Sequence, residues 1–284
     1  MPERPRAADV TVLIDASIED TWQALTEARE LERWFPLRAE VRPGTGGSMT
    51  WRWEDDFSMV AGIDAWEPPG RLRLVQEREP PHAADGSELD VGSRSRMAME
   101  FTLETHEGRT RLRLVHSGFG SGAAWDDELE GVTHGWNFEL RQLAHYLGGH
   151  RGRDRHVGWA HTTVGQSHAG VWRALTGAGG FVLPEPMRRA GSPFTLGMPG
   201  GSHLSGTSRL YAPERDWFGA VRELNDGLVR VWTWPGGGRT GVAVWFSTWN
   251  DEHVLRVKEL GQMARRVLDG TFGRTSETAT WRES

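Results

Sequence analysis

The sequence predicts an α+β protein of two tandem domains, each a curved antiparallel sheet wrapped around a long C-terminal helix. Three observations carry this. The pentapeptide Trp22-Gln23-Ala24-Leu25-Thr26 returns 150 residues later as Trp172-Arg173-Ala174-Leu175-Thr176, with a serine five residues before each tryptophan, Ser17 and Ser167. Self-similarity at a long period reports on the whole architecture. Several stretches alternate apolar and polar residues, as antiparallel strands with one wet face do. Each half then closes with one long, apolar-striped helix, and an apolar sheet face needs such a cover.

The echo continues. Gly62 and Gly70 keep the same eight-residue spacing before Arg71-Leu72-Arg73-Leu74 as Gly219 and Gly227 keep before Leu228-Val229-Arg230-Val231. Leu140-Arg141-Gln142-Leu143-Ala144 matches Leu260-Gly261-Gln262-Met263-Ala264, now at an offset of 120. A fall in offset from 150 to 120 makes the second copy about thirty residues shorter. The domains expected are 1–150, with a ligand cavity, and 155–270, shorter and degenerate, followed by a polar tail over 271–284.

In the first domain Val10 to Ile14 is rich in β-branched residues and reads as a strand. Ser17 caps a helix whose first turn holds Glu19 and Asp20, where the helix dipole favours anions. Met49, Trp51 and Trp53 share one face of an alternating strand. Met59 to Trp66 forms another strand, ended by Pro68-Pro69-Gly70. Pro80 to Ser93 is polar and reads as a mobile loop. Arg96 to Glu104 and Arg109 to His116 form a long hairpin about Glu107-Gly108, with Met97, Met99, Phe101, Leu112, Leu114 and His116 inward by parity. Val132, Trp136, Leu140, Leu143 and Leu147 stripe the covering helix, which Gly148-Gly149 stops.

In the second domain, His156 to Val164 reads as a strand and Ser167 caps a helix through Thr176. Segment 184–206, dominated by Pro, Gly and Ser, predicts a long loop. Strands follow over Arg209 to Phe218, Leu228 to Trp234 and Gly241 to Trp249, then a helix striped by Val254, Val257, Leu260, Met263, Ala264 and Val267.

Composition narrows the function. The chain has 284 residues, enough for two cores at about 100–150 residues each. No stretch approaches the length of a membrane span, and the polar start, Met1 to Asp9, lacks the apolar core of a signal peptide. Absence of cysteine removes disulfides and thiolate chemistry and fits a cytoplasmic location. A net charge of −6 argues against nucleic-acid and anionic-membrane partners. Lys258 is the single lysine, which disfavours Schiff-base chemistry. His145, His150, His156, His161 and His168 match no compact metal-ligand spacing, and no cofactor loop or nucleophile elbow is present. The reading assigns no metal, no cofactor and no catalytic residue.

Fifteen tryptophans against two tyrosines are the other anomaly. Trp22-Gln23-Ala24-Leu25-Thr26, Leu31-Glu32-Arg33-Trp34-Phe35, Phe101-Thr102-Leu103-Glu104, Gly108-Arg109-Thr110, His116-Ser117-Gly118-Phe119 and Gly135-Trp136 occur in the order found in a known superfamily. Over about residues 8–150 the chain resembles the START-like helix-grip proteins, in the branch named for the activator of Hsp90 ATPase. As a tandem pair it is similar to self-resistance proteins of enediyne antibiotic clusters. The resemblance implies a cavity between long helix and sheet, and tasks as diverse as ligand sequestration, sacrificial cleavage of the protein's own backbone, and polyketide cyclase or hydrolase-like catalysis. A chaperone-binding module is implied by the branch's name alone.

The residues themselves agree with a hydrophobic, aromatic small-molecule partner; a monomer is expected, though no residue pattern sets the oligomeric state. Trp51, Trp53, Met97, Met99, Phe101, Leu112, Leu114 and Trp136 are expected to border the interior, where indoles stack on flat ligands and thioethers adapt to them. Core packing would place the same residues there. Trp66, beside a turn, guards the cavity mouth or lies on the surface. His116 orients a ligand, acts as an acid or base, or is a hydrogen-bonded structural histidine.

Overall fold

The computed structural model describes residues 6–54, 57–78, 95–177, 181, 189–198, 201–212, 214–236 and 239–273. The chain divides after Arg153 into two compact units.

The first unit runs β1 (Ala7–Ile14), α1 (Ile18–Thr26), α2 (Ala28–Glu32), β2 (Arg38–Arg42), β3 (Ser48–Glu54), β4 (Phe57–Glu67), β5 (Arg71–Arg78), β6 (Ser95–His106), β7 (Arg109–Ser117) and α3 (Ala123–Gly149). Its seven strands form one antiparallel sheet in the order β1-β7-β6-β5-β4-β3-β2. Alternation does what parity predicts: Leu112, Leu114 and His116 are buried, while Arg111 and Arg113 on the other parity are exposed. Outward charges pair across strands, as in Arg113 with Asp9 at 2.6 Å. That arginine's hydrogen bond holds the Asp9 carboxyl below its usual range.

The second unit runs β8 (His156–Val164), α4 (His168–Thr176), β9 (Pro193–Gly197), β10 (His203–Ala212), β11 (Asp216–Val221), β12 (Gly227–Gly236), β13 (Arg239–Thr248) and α5 (Val254–Phe272), with sheet order β8-β13-β12-β11-β10-β9. Two expectations are corrected here. Within 184–206, read as a loop, Pro193–Gly197 is a strand paired with β10, because Phe194 and Leu196 have an apolar core to fill. Arg209 to Phe218, read as one strand, is two, turning at Glu214, which adopts φ 59°. The loop over Pro80 to Ser93 and the tail beyond Gly273 lie outside the described residues.

The two units repeat contacts as well as residues. Ser17 Oγ accepts from Asp20 N at 3.0 Å, and Ser167 Oγ accepts from Gly170 N at 3.3 Å. Thr26 and Thr176 each donate to the carbonyl of the repeated tryptophan at 2.7 Å. Thr110 donates to Ala16 O and Thr240 to Gln166 O, in both cases tying the last strand of the unit to the residue before the capping serine. Trp22 packs edge-on to Trp66 as Trp172 packs on Tyr211. The glycine echo is out of register, however. Strand order makes β4 and β5 the counterparts of β10 and β11, whereas Gly219 lies in β11 and Gly227 opens β12. That spacing is coincidence.

Each sheet is closed by its terminal helix. In the second unit α5 approaches β8 so closely that a Cβ on Gly158 would lie 1.9 Å from the Val257 carbonyl oxygen. Glycine is needed there for close approach rather than for an unusual φ. The resulting core, from Ala160 to Leu268, includes Phe181, Trp217 and Phe246, each fully buried.

Candidate ligand seat of the first unit

Between α3 and the sheet of the first unit, nine apolar residues from six elements and the turn after α2 converge. Trp136 descends from α3, Leu25 and Leu31 come from α1 and α2, and Trp34 and Phe35 from the following turn. Trp51, Leu72, Leu74 and Phe101 rise from β3, β5 and β6. They enclose about 10 Å³, room for no more than roughly one water. A drug-sized guest needs on the order of 300 Å³. The gap expected between helix and sheet is therefore nearly closed, because aromatic side chains from the α1–β3 stretch fill it.

Phe35 stands at the centre. Its ring centroid lies 5.1 Å from Trp34 with planes inclined 22°, and 5.5 Å from Trp136 at 33°. Trp51 and Trp53 pack on it in T-shaped arrangements, each at 5.2 Å, inclined 73° and 85°. Such pairs contribute about 0.5–1.5 kcal/mol apiece beyond burial. Trp34 is tethered: its Nε1 donates to Ala24 O at 2.8 Å, and Gln142 of α3 donates to its carbonyl. Trp51 differs. Its indole N–H, on a side chain 2% exposed, has no acceptor among the described residues, and a buried donor left unmatched costs about 1–3 kcal/mol.

The predicted residues divide. Trp51, Phe101 and Trp136 line the hollow. Trp53 is half-buried at the Phe35 edge. Trp66 packs on Trp22 at 5.3 Å, outside the lining. Met97 joins a separate cluster with Phe119 and Trp125. Met99, Leu112 and Leu114 are fully buried in the sheet's inner face, outside the lining. His116, 8% exposed, accepts at Nδ1 from Trp136 Nε1 at 3.0 Å. An indole donates only and does not titrate, so this bond sets the ring's orientation and ties sheet to helix. His145 and His150 bring their rings within 5.0 Å at the end of α3.

Sequence reasoning missed Leu25, Leu31, Trp34, Phe35, Leu72 and Leu74 as seat residues. The signal was available for two: an aromatic pair followed by Pro36 at a helix end is a bulky group placed where the chain must turn inward.

The short helix that presents Phe35 is anchored by α3. Tyr146 Oη donates to Glu30 at 2.7 Å and accepts from Gly152 N at 2.9 Å, and Glu30 also pairs with Arg33. Burial, reinforced by Glu30, pushes the Tyr146 phenol up to about 12. A raised folded pKa gives stability that is complete below the unfolded value of about 10 and is lost as pH rises through 12. The thermal midpoint of the first unit will therefore fall between pH 10 and 12. Tyr146→Phe will flatten that fall, and superimposable profiles for the two proteins would remove the assignment.

Residues 15–148 match the family model of the Activator of Hsp90 ATPase homolog 1-like proteins. The first domain resembles this family. The match spans just under half of the chain, 134 of 284 residues. None of the curated proteins matches. Among solved structures, DynU16, a putative protein in the dynemicin biosynthetic locus, is 21% identical, with 94% of this chain and 96% of that one covered and a TM-score of 0.42. The di-domain ARO/CYC protein BexL of the BE-7585A biosynthetic pathway is 14% identical, with 94% and 93% covered and a TM-score of 0.43. CalU16 from Micromonospora echinospora is 21% identical over 51% of this chain and 78% of its own, at 0.39. In the Activator of Hsp90 ATPase homolog 1-like domain the seat described above lies between the terminal helix and the sheet. Among the described residues, no helix of the chain is long and apolar enough to cross a membrane.

Proposed function

We propose that the Activator of Hsp90 ATPase homolog 1-like domain binds a hydrophobic polycyclic small molecule between α3 and the sheet, without catalysis, in the cytoplasm. The natural guest in this reading is an antibiotic of the enediyne class, held for self-resistance by sequestration or sacrifice, or handled during its biosynthesis. One observation carries it: five aromatic rings from α3, the turn after α2, β3 and β6 line one hollow, and the indole N–H of one of them, Trp51, has no acceptor among the described residues. Ligand seats combine such apolar walls with a few placed polar groups. The second unit supports the choice of domain, since among its described residues no strand matches β2. The cyclase- or hydrolase-like alternative needs an acid–base pair in the seat, and the His116 nitrogen that faces α3 is engaged by Trp136.

Titrating a planar polyaromatic, an anthraquinone, into the full chain is expected to quench tryptophan emission saturably at roughly tens of micromolar. Unchanged emission would count against binding. For sacrifice, intact-mass spectrometry after incubation with an activated enediyne should show a cut backbone; an intact chain removes that variant alone.

A further inference from the structure

We infer that Phe35 is the resident occupant of a slot built for one flat ring, and that the guest entering it presents an oxygen acceptor to the Trp51 indole N–H. This rests on the binding reading above and adds to it the gate and the ligand chemistry.

The slot is visible in the ring angles. Trp34 stacks on Phe35 at 22° and Trp136 tilts against it at 33°. Trp51 and Trp53 stand across its plane at 73° and 85°. Four aromatic walls around one ring suit a planar aromatic guest, and a phenyl ring occupies the place now. Phe35 is the member able to leave. Trp34 is 1% exposed and hydrogen-bonded through both its indole and its carbonyl. Phe35 is 8% exposed, with half-buried Trp53 at its edge. Its backbone N–H is fixed to Leu31 O at 2.8 Å, so χ1 rotation can move the ring without unwinding the turn. Rotamer changes of this kind are the usual adjustment of a binding surface.

The ligand class follows from what the slot lacks. A phenyl ring offers no acceptor to Trp51 Nε1, which has none among the described residues. The lining carries no charged side chain, which disfavours an ionic guest. A neutral fused-ring quinone or phenol supplies a flat face for the Trp34 and Trp136 indoles and an oxygen for the third.

Calorimetric titration of the full chain with 1,4-naphthoquinone and with naphthalene tests both parts, since the two share a ring frame and differ in the oxygens. Phe35→Ala, and Phe35→Leu as the milder change, are expected to bind both probes at least about tenfold more tightly, because the competing ring is removed. Wild type should prefer the quinone by about tenfold, and Trp51→Phe should lose that preference while still taking naphthalene. If wild type binds but the cooperatively melting Phe35 variants bind no better, the gate is wrong and the binding function stands. If Trp51→Phe keeps the quinone preference, the acceptor assignment is wrong. If neither wild type nor any folded variant binds either probe, the functional reading falls with the inference.

Discussion

Trp136→Ala will lower the stability of the first domain by about 3–5 kcal/mol, the range for truncating a large buried aromatic. The indole is 7% exposed and touches three partners at once: Phe35 at 5.5 Å, Phe101 at 5.8 Å and the His116 nitrogen that accepts its proton. It is where helix and sheet are held together, so its loss is felt across the seat. Trp136→Phe keeps much of the volume and loses the hydrogen bond, for an expected cost of about 1–2 kcal/mol. Urea unfolding followed by near-ultraviolet circular dichroism separates the two variants. A cost below about 1 kcal/mol for the alanine would mean that α3 is loosely seated.

The second large effect belongs to the other domain. Asp216 and Arg230 form a bidentate pair with contacts of 2.6 and 3.1 Å, at 1% and 6% exposure. Arg230 also lies 4.4 Å over the ring of Trp232. Asp216→Ala leaves a buried guanidinium without its carboxylate and is expected to cost about 3–5 kcal/mol. Removing both charges together, as Asp216→Leu with Arg230→Met, should recover most of it. Cation–π attraction, at about 2 kcal/mol when desolvated, is too small to compensate in the single variant. A single variant as stable as wild type, by urea unfolding of the full chain, would contradict this account.

These expectations separate what was legible in the chain from what was not. Period-two alternation placed Leu112, Leu114 and His116 inward without any knowledge of their partners, since pleating alone sends alternate side chains to opposite faces. The repeated pentapeptide located both capped helices because capping and helical periodicity are local. Two structural facts escaped. Parity showed that Trp51 and Trp136 face inward but could not show that Phe35 comes between them. The spacing of Gly219 and Gly227 resembled a repeat that strand order does not support.

Local sequence therefore determined most of the strands, the terminal helices and the apolar face of the alternating elements, because these depend on residues adjacent along the chain, whereas β9 formed only because a core was there to fill. Tertiary packing alone decided that the helix–sheet seam is nearly filled, and by which ring. Whether a hollow stays open depends on the summed volumes of side chains brought from α1, α2, β3, β5, β6 and α3, and no stretch of sequence contains that sum.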